Sequence, residues 1–219
     1  MLYPIAKRFV DIICASIGLV VLSPFGVLLA LLIKLWDRGP IFYAQARIGQ
    51  FGKPFRIWKF RSMKVNAEKM GLPITKEDDP RITWIGRLLR KAKLDELPQL
   101  WNVLAGDMSL VGPRPEVPRY VAQYSAEQRE VLNLKPGITD LATLLYRDEE
   151  RMLRGVSDVE RVYLEQIMPP KIDLSLAYAR QAGLWEDTKV ILRTLLPGIP
   201  FRLRAEKNAA ECPVCSPIR

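Results

Sequence analysis

Between Ile12 and Ile33 the chain reads "IICASIGLVVLSPFGVLLALLI", an uncharged run long enough to cross a bilayer as one helix. Ser23-Pro24 interrupts it. Proline removes a backbone donor and crowds the preceding turn, so a bend is expected there, with the serine hydroxyl available to a freed carbonyl. The pattern then shortens to a period of two. Residues Ile41 to Arg47 and Pro54 to Phe60 alternate around a turn carrying Gly49 and Gly52, which predicts a β-hairpin with Lys59 and Arg61 on one face of its second strand. Further on, Ile82, Ile85, Leu89 and Ala92 recur at helical spacing, with Arg87, Arg90, Lys91 and Lys93 around the polar side. Such a basic amphipathic helix suits a lipid headgroup region. The stretches "YVAQYSAEQREVLNL" and "LWEDTKVILRTLL" read as further helices, with "KPGITD" as a turn between them. The last is expected to stop at Pro197 and Pro200, before a mobile polar tail beyond Arg204.

Two neighbouring carboxylates, Asp95 and Glu96, close the basic helix in "KAKLDELPQL". Asp95 is placed to cap a new helix whose first turn holds Glu96, Leu97 and Pro98. Carboxylates at such a terminus stay ionised, and its free amides attract phosphate. A salt-bridged, solvated face explains the same pair. In "GDMSLVGPRPE", Arg114 stands between two prolines, on a stiff loop from which a guanidinium can fork onto phosphate oxygens. Glu77, Asp78 and Asp79, ahead of Pro80, read as a loop before a helix rather than as a cation site.

Charge and composition narrow the chemistry. Lys and Arg number 33 against 24 Asp and Glu, a net +9 that suits a polyanion, an anionic membrane face or phosphorylated substrates. The 219 residues contain no histidine, which removes Ser-His and Cys-His nucleophiles and His-ligated metals. Cys14 lies in the apolar run, while Cys212 and Cys215 supply only half of a zinc site, with no further Cys or His nearby. Without a disulfide framework, a reducing compartment is expected. Basic residues flank the apolar run on both sides, Lys7 and Arg8 before it and Lys34, Arg38 and Arg47 after it. The positive-inside rule therefore leaves spanning and re-entrant topologies equally open.

The segments "KRFVDI", Ser23-Pro24, "QARIGQFGKPFRIWKFRSM", "DPRITWIGRLLRKAKLDELPQLWNVLAGDMSLVGPRP", "KPGIT" and "EDTKVILRTL" together resemble the monotopic phosphoglycosyl transferases. These bacterial sugar transferases start glycoconjugate assembly on polyprenyl phosphate. The resemblance implies an α+β, mostly helical fold. Its parts are a re-entrant membrane helix over residues 1–38 broken at Ser23 and Pro24, a cytosolic catalytic domain over 39–204 and a tail over 205–219. A small β-hairpin and interfacial amphipathic helices would surround the active site.

The same resemblance implies that Asp95 and Glu96 are catalytic and also hold a required Mg²⁺. It makes Lys59, Arg90, Arg114 and Arg147 substrate-binding, and gives Asp187 a structural role. The implied substrates are a UDP-sugar and undecaprenyl phosphate, and the products a polyprenyl diphosphate sugar and UMP. Asp95 is expected to attack the β-phosphorus and form a covalent aspartyl phosphosugar. The setting would be the anionic inner leaflet of a bacterial cytoplasmic membrane, with the active site facing the cytosol and no nucleic acid partner; a homodimer is compatible. One segment departs: "PGITDLATLLYR" stands where the family commonly reads close to "PGITGWAQVNGR", with Arg147 matching by spacing. The sugar is thus the least transferable property. A membrane-anchored basic adaptor would explain the charge and the apolar run, but neither the dyad nor the Pro-Arg-Pro loop. An aspartyl-phosphate hydrolase would use the dyad but pass the sugar phosphate to water.

Overall fold

The computed structural model describes residues 2–76 and 79–196. The expectations for Glu77 and Asp78, for Pro197 and Pro200, and for the tail with Cys212 and Cys215 concern positions outside these residues. Helix α1, Leu2–Asp37, runs 36 residues, or about 54 Å at 1.5 Å per residue. It continues helically through Pro24. The missing amide of Pro24 would have bonded the carbonyl of Val20, and the Ser23 hydroxyl donates to that oxygen at 2.8 Å instead. The serine thus satisfies the freed carbonyl, as expected.

One stripe of α1 faces the protein. Asp11, Ala15, Leu29 and Ile33 are buried along it, Gly18 lies against Leu100, and Gly26 faces Phe60. Only 11% of the most apolar window of this helix is buried within the protein, which separates it from the core helix of a soluble domain. Its outward side chains, including Val20, Val21, Leu28 and Leu31, are exposed.

The hairpin forms as expected from strands β1, Phe42–Ile48, and β2, Pro54–Phe60, paired antiparallel with Tyr43 opposite Lys59 and Arg47 opposite Phe55. Phe51 and Gly52 take positive φ in the connecting turn. Helix α2, Trp84–Lys91, starts where the Thr83 hydroxyl accepts from the Gly86 amide at 2.9 Å. Ile85 and Leu89 turn inward, whereas Trp84 and Leu88 are exposed. Gly86 permits the close approach of α2 to the end of the hairpin, because a Cβ there would lie 1.9 Å from the Ser62 carbonyl oxygen.

After α2 the structure corrects three local expectations. Asp95 does not cap a helix. Lys93 takes a left-handed conformation (φ 57°) that ends α2 and leads into a 3₁₀ turn over Leu94–Glu96, and α3, Gln99–Ala105, begins only after Pro98. The stretch "YVAQYSAEQREVLNL" is not one helix. Helix α4, Pro118–Val121, stops early, and Ser125, bonded to Gln128 and Glu127, starts a separate 3₁₀ turn over Gln128–Asn133. Finally, "KPGITD" contains a strand. Strand β3, Ser109–Val111, pairs in parallel with β4, Gly137–Thr139, and Gly112 and Gly137 approach so closely that a Cβ on Gly137 would lie 2.1 Å from the Gly112 nitrogen.

The remaining chain is helical: α5 Leu141–Leu145, capped by Asp140, then α6 Glu149–Met152 and α7 Val159–Val162. A π turn over Tyr163–Ile167 leads into α8 Met168–Ala179, and α9 Leu184–Leu195 follows. The largest core gathers Tyr120, Leu141, Leu153, Ile167, Leu174 and Val190. Two smaller cores include α1: Leu29 and Ile33 pack with Phe60, Ile85 and Leu89, and Ala15 packs with Ile57, Val103 and Met108.

Candidate active site

A cavity of about 550 Å³ opens between the hairpin, the end of α2, the Pro-Arg-Pro loop and the α5–α6 segment. Lys59, Arg90, Asp95, Arg114 and Arg147 all line it, so five of the six candidate catalytic and binding residues meet at one site. Glu96, the sixth, sits behind the wall. Neighbouring residues of a 3₁₀ turn point about 120° apart, so the two carboxylates face different surroundings.

Glu96 is clamped. Lys59 donates to its Oε1 at 3.2 Å, and Arg114 forks onto both of its oxygens. Burial pushes the Glu96 carboxyl up, but Arg114 and Lys59 outweigh it and hold the group well below the usual carboxylate range. Arg114 is raised in return, chiefly by Glu96. Lys59 is lowered because burial outweighs the attraction of Glu96.

Asp95 is only 4% exposed, yet among the described residues its carboxylate makes no hydrogen bond or ion pair. Burial raises its pKa above the ordinary value, with Lys59 pulling the other way. The cavity therefore presents one buried carboxylate with uncommitted oxygens beside several cations, an arrangement suited to nucleophilic attack on a phosphorus atom whose oxygens those cations screen.

Partners that the chain pattern did not indicate complete the wall. Arg90 pairs with Glu150, and Lys171 with Glu149 at 2.6 Å. Arg47 donates to the Pro115 carbonyl at 3.0 Å and lies 3.7 Å from Glu116, which also accepts from the Tyr163 hydroxyl. This trio fixes the loop that aims Arg114. Arg47 carried a signal, since it follows Tyr43 and Gln45 at strand period along one face of β1; Tyr163 and Lys171 belong to no motif. Asp187 lies away from the cavity, where Tyr3, Lys7 and Tyr178 all donate to it.

For Mg²⁺, no cluster of three acidic or sulfur ligands occurs among the described residues. The donor set still fits a hard cation that uses one protein carboxylate and completes its shell with substrate phosphate oxygens and water. Asp95 can supply that carboxylate. Both Glu96 oxygens are engaged by cations.

The profile of the bacterial sugar transferase family matches residues 2–199. The chain belongs to the bacterial sugar transferase family. Relatives include the galactosyl transferase CpsE of Streptococcus agalactiae serotype III, 40% identical over 202 residues, covering 87% of this chain and 41% of that protein. The UDP-glucose:undecaprenyl-phosphate glucose-1-phosphate transferase of Escherichia coli K12 is 38% identical over 199 residues, covering 88% of this chain and 40% of the relative. The UDP-N-acetylgalactosamine-undecaprenyl-phosphate N-acetylgalactosaminephosphotransferase of Aeromonas hydrophila is 36% identical, covering 92% and 46%. The chain thus spans less than half the length of these three relatives.

Proposed function

We propose that this protein transfers a sugar 1-phosphate from a UDP-sugar to polyprenyl phosphate, releasing UMP, and that Asp95 carries the sugar phosphate between the two. The observation that carries this reading is the division of the dyad: Glu96 is held by Lys59 and Arg114, while Asp95 alone faces the cavity uncommitted. The names of the relatives pair UDP-sugars with undecaprenyl phosphate and differ in the sugar, so the donor is assigned as a class.

In the first step an Asp95 oxygen attacks the β-phosphorus, and the bond from that phosphorus to the bridging oxygen breaks. UMP leaves with the bridging oxygen. In the second step an oxygen of the lipid phosphate attacks the aspartyl phosphate, and the Asp95 carboxylate departs. Lys59, Arg90, Arg114 and Arg147 screen the phosphate oxygens, and Glu96 keeps Lys59 and Arg114 in place. A Mg²⁺ held by Asp95 and substrate oxygens would neutralise charge on the diphosphate.

The reading of α1 as re-entrant, with both ends on the cytosolic side of the inner membrane, is supported by its contacts with one catalytic body. Near its start Lys7 bonds Asp187, and Arg8 donates to the Val103 and Leu104 carbonyls; near its end Ile33 packs on Phe60 and Leu89. Contacts of both ends with one catalytic body are what a helix that enters and returns on one side of a bilayer would make. The acceptor's phosphate would then meet the cavity at the interface.

Two measurements test these proposals. Without lipid, the enzyme should exchange labelled UMP into UDP-sugar and gain the mass of a sugar phosphate on the peptide containing Asp95; absence of both means direct displacement. Tags at both termini should be reached only from the cytoplasmic side, and labelling of either from outside defeats the re-entrant topology.

A further inference from the structure

Arg61, singled out by its place two residues beyond Lys59, has no task in the chemistry above. It lines the cavity and is 5% exposed. None of its three guanidinium nitrogens has an acceptor among the described residues. Lys59, Arg90 and Arg114 on the same wall each hold a carboxylate, as does buried Arg81 with Asp79. A buried guanidinium with five donors and no acceptor is costly, and an anion that fits the fork relieves the cost.

The surroundings say which anion. The Arg61 amide donates to the Ile41 carbonyl at 2.8 Å, and the guanidinium lies against Gly39, where a Cβ would come within 1.9 Å of Nη1. Gly39 is two residues past the end of α1. There Trp36 and Trp84 stack with centroids 5.5 Å apart, and both rings are largely exposed, as aromatic residues are at a membrane–water boundary. Phe42 and Phe60, stacked at 5.4 Å, line the cavity beside Arg61. A cation placed among aromatic rings where the apolar helix ends suits a phosphate attached to a hydrocarbon chain. Asp37, two residues before Gly39, forms no ion pair with Arg61 among the described residues, and its own Oδ2 is buried without a donor.

We propose that Arg61 binds the phosphate of the polyprenyl acceptor, apart from the cations that face the donor's diphosphate. This rests on the reading of lipid phosphate as second substrate. The test uses the full chain in detergent, with Arg61→Gln and Arg61→Lys, and a short-chain polyprenyl phosphate as acceptor. UMP exchange without acceptor should stay within about twofold of wild type, and the donor KM should hold. The acceptor KM should rise about tenfold or more in Arg61→Gln, the scale of one hydrogen-bonded ionic contact, and less in Arg61→Lys. Should the glutamine variant fail to fold, the lysine variant decides by the same readouts.

An unchanged acceptor KM overturns the proposal. So does a rise in donor KM, which places Arg61 on the diphosphate, or an equal fall of exchange and lipid transfer, which makes it a structural residue. Inorganic phosphate should compete far more weakly than the isoprenoid phosphate in wild type; equal competition means a free-anion site and overturns the lipid assignment. Should wild type itself show no UMP exchange, the covalent reading fails, while the acceptor KM, followed by UMP release, still judges Arg61.

Discussion

The outer face of α1 and the wall of the cavity reverse each other. On α1, Val20 is 73% exposed and Val21 66%, while on the cavity wall Asp95 is 4% exposed and Arg61 5%. Apolar groups lie outside and charges inside. A contiguous apolar surface of this kind is rare on a monomeric soluble protein, and it marks a face whose solvent is not water. Charges are tolerated within because each of Lys59, Glu96 and Arg114 has a partner at hydrogen-bond range. Among the described residues Asp95 and Arg61 have no side-chain partner, and the proposals give them the covalent step and the acceptor phosphate.

Changes on the two surfaces should fail in different ways. The largest effect is expected from Asp95→Asn, which keeps the shape but removes the nucleophile: turnover and UMP exchange should fall by ~10³-fold or more, about 4 kcal/mol of barrier, with melting temperature unchanged or higher. Normal turnover in that variant would transfer the role elsewhere. Glu96→Gln should behave differently, losing both rate and stability. Rate should drop by about 10²-fold, because Arg114 and Lys59 lose the group that holds them. Stability should fall by about 1–3 kcal/mol, since two partly buried cations lose their counter-charge. A fall in rate with unchanged melting would show that Glu96 acts on substrate rather than on its neighbours.

On the apolar side, the comparison lies within one helix, α1. Ile33→Ala should destabilise by about 2–4 kcal/mol in detergent, because the side chain is fully buried against Phe60, Ile85 and Leu89. Leu31→Ala, on the exposed side, should stay within about 0.5 kcal/mol. Equal losses would mean that the outward face is covered by protein.

The smallest effect is one of pH, and it has opposite signs at the two carboxylates. Glu96 is raised by burial but held low overall by Arg114 and Lys59, so its stabilisation is complete above its unfolded value, about 4.3, and is lost as pH falls through the lower folded value. Asp95 is raised by burial, so its contribution is complete below about 3.9 and is lost as pH rises through its folded value. Melting curves of wild type and Asp95→Asn should therefore diverge as pH rises above about 4, with the variant gaining. The acid limb of turnover should lie above the ordinary aspartate range, and a limb at or below it would contradict burial of an uncommitted Asp95.

Much of the architecture was legible along the chain because its cause is local. The hairpin follows from alternation around Gly49 and Gly52, α2 from the spacing of Ile85 and Leu89, and α9 from the periodicity of "LWEDTKVILRTL". The parallel pair β3–β4 was not, since Ser109 and Gly137 meet only through the approach of Gly112 to Gly137. Helix propensity over 118–133 was overridden by the local bonds of Ser125. Lys59, Asp95 and Arg114 could be named as candidates by residue type and motif, but the Arg47–Glu116–Tyr163 support could not, because its members come from three unrelated stretches.

By itself the sequence determined that two carboxylates stand side by side at the end of a basic helix, and that an apolar segment long enough to cross a bilayer precedes them. Only the tertiary structure decided which of the two meets the cavity. Lys93 turns the chain into a 3₁₀ step that points the carboxylates apart, and Lys59 and Arg114, 37 and 18 residues away, capture Glu96. Partners that distant become neighbours only when the hairpin and the Pro-Arg-Pro loop close around the turn, so no local pattern could have told Asp95 from Glu96.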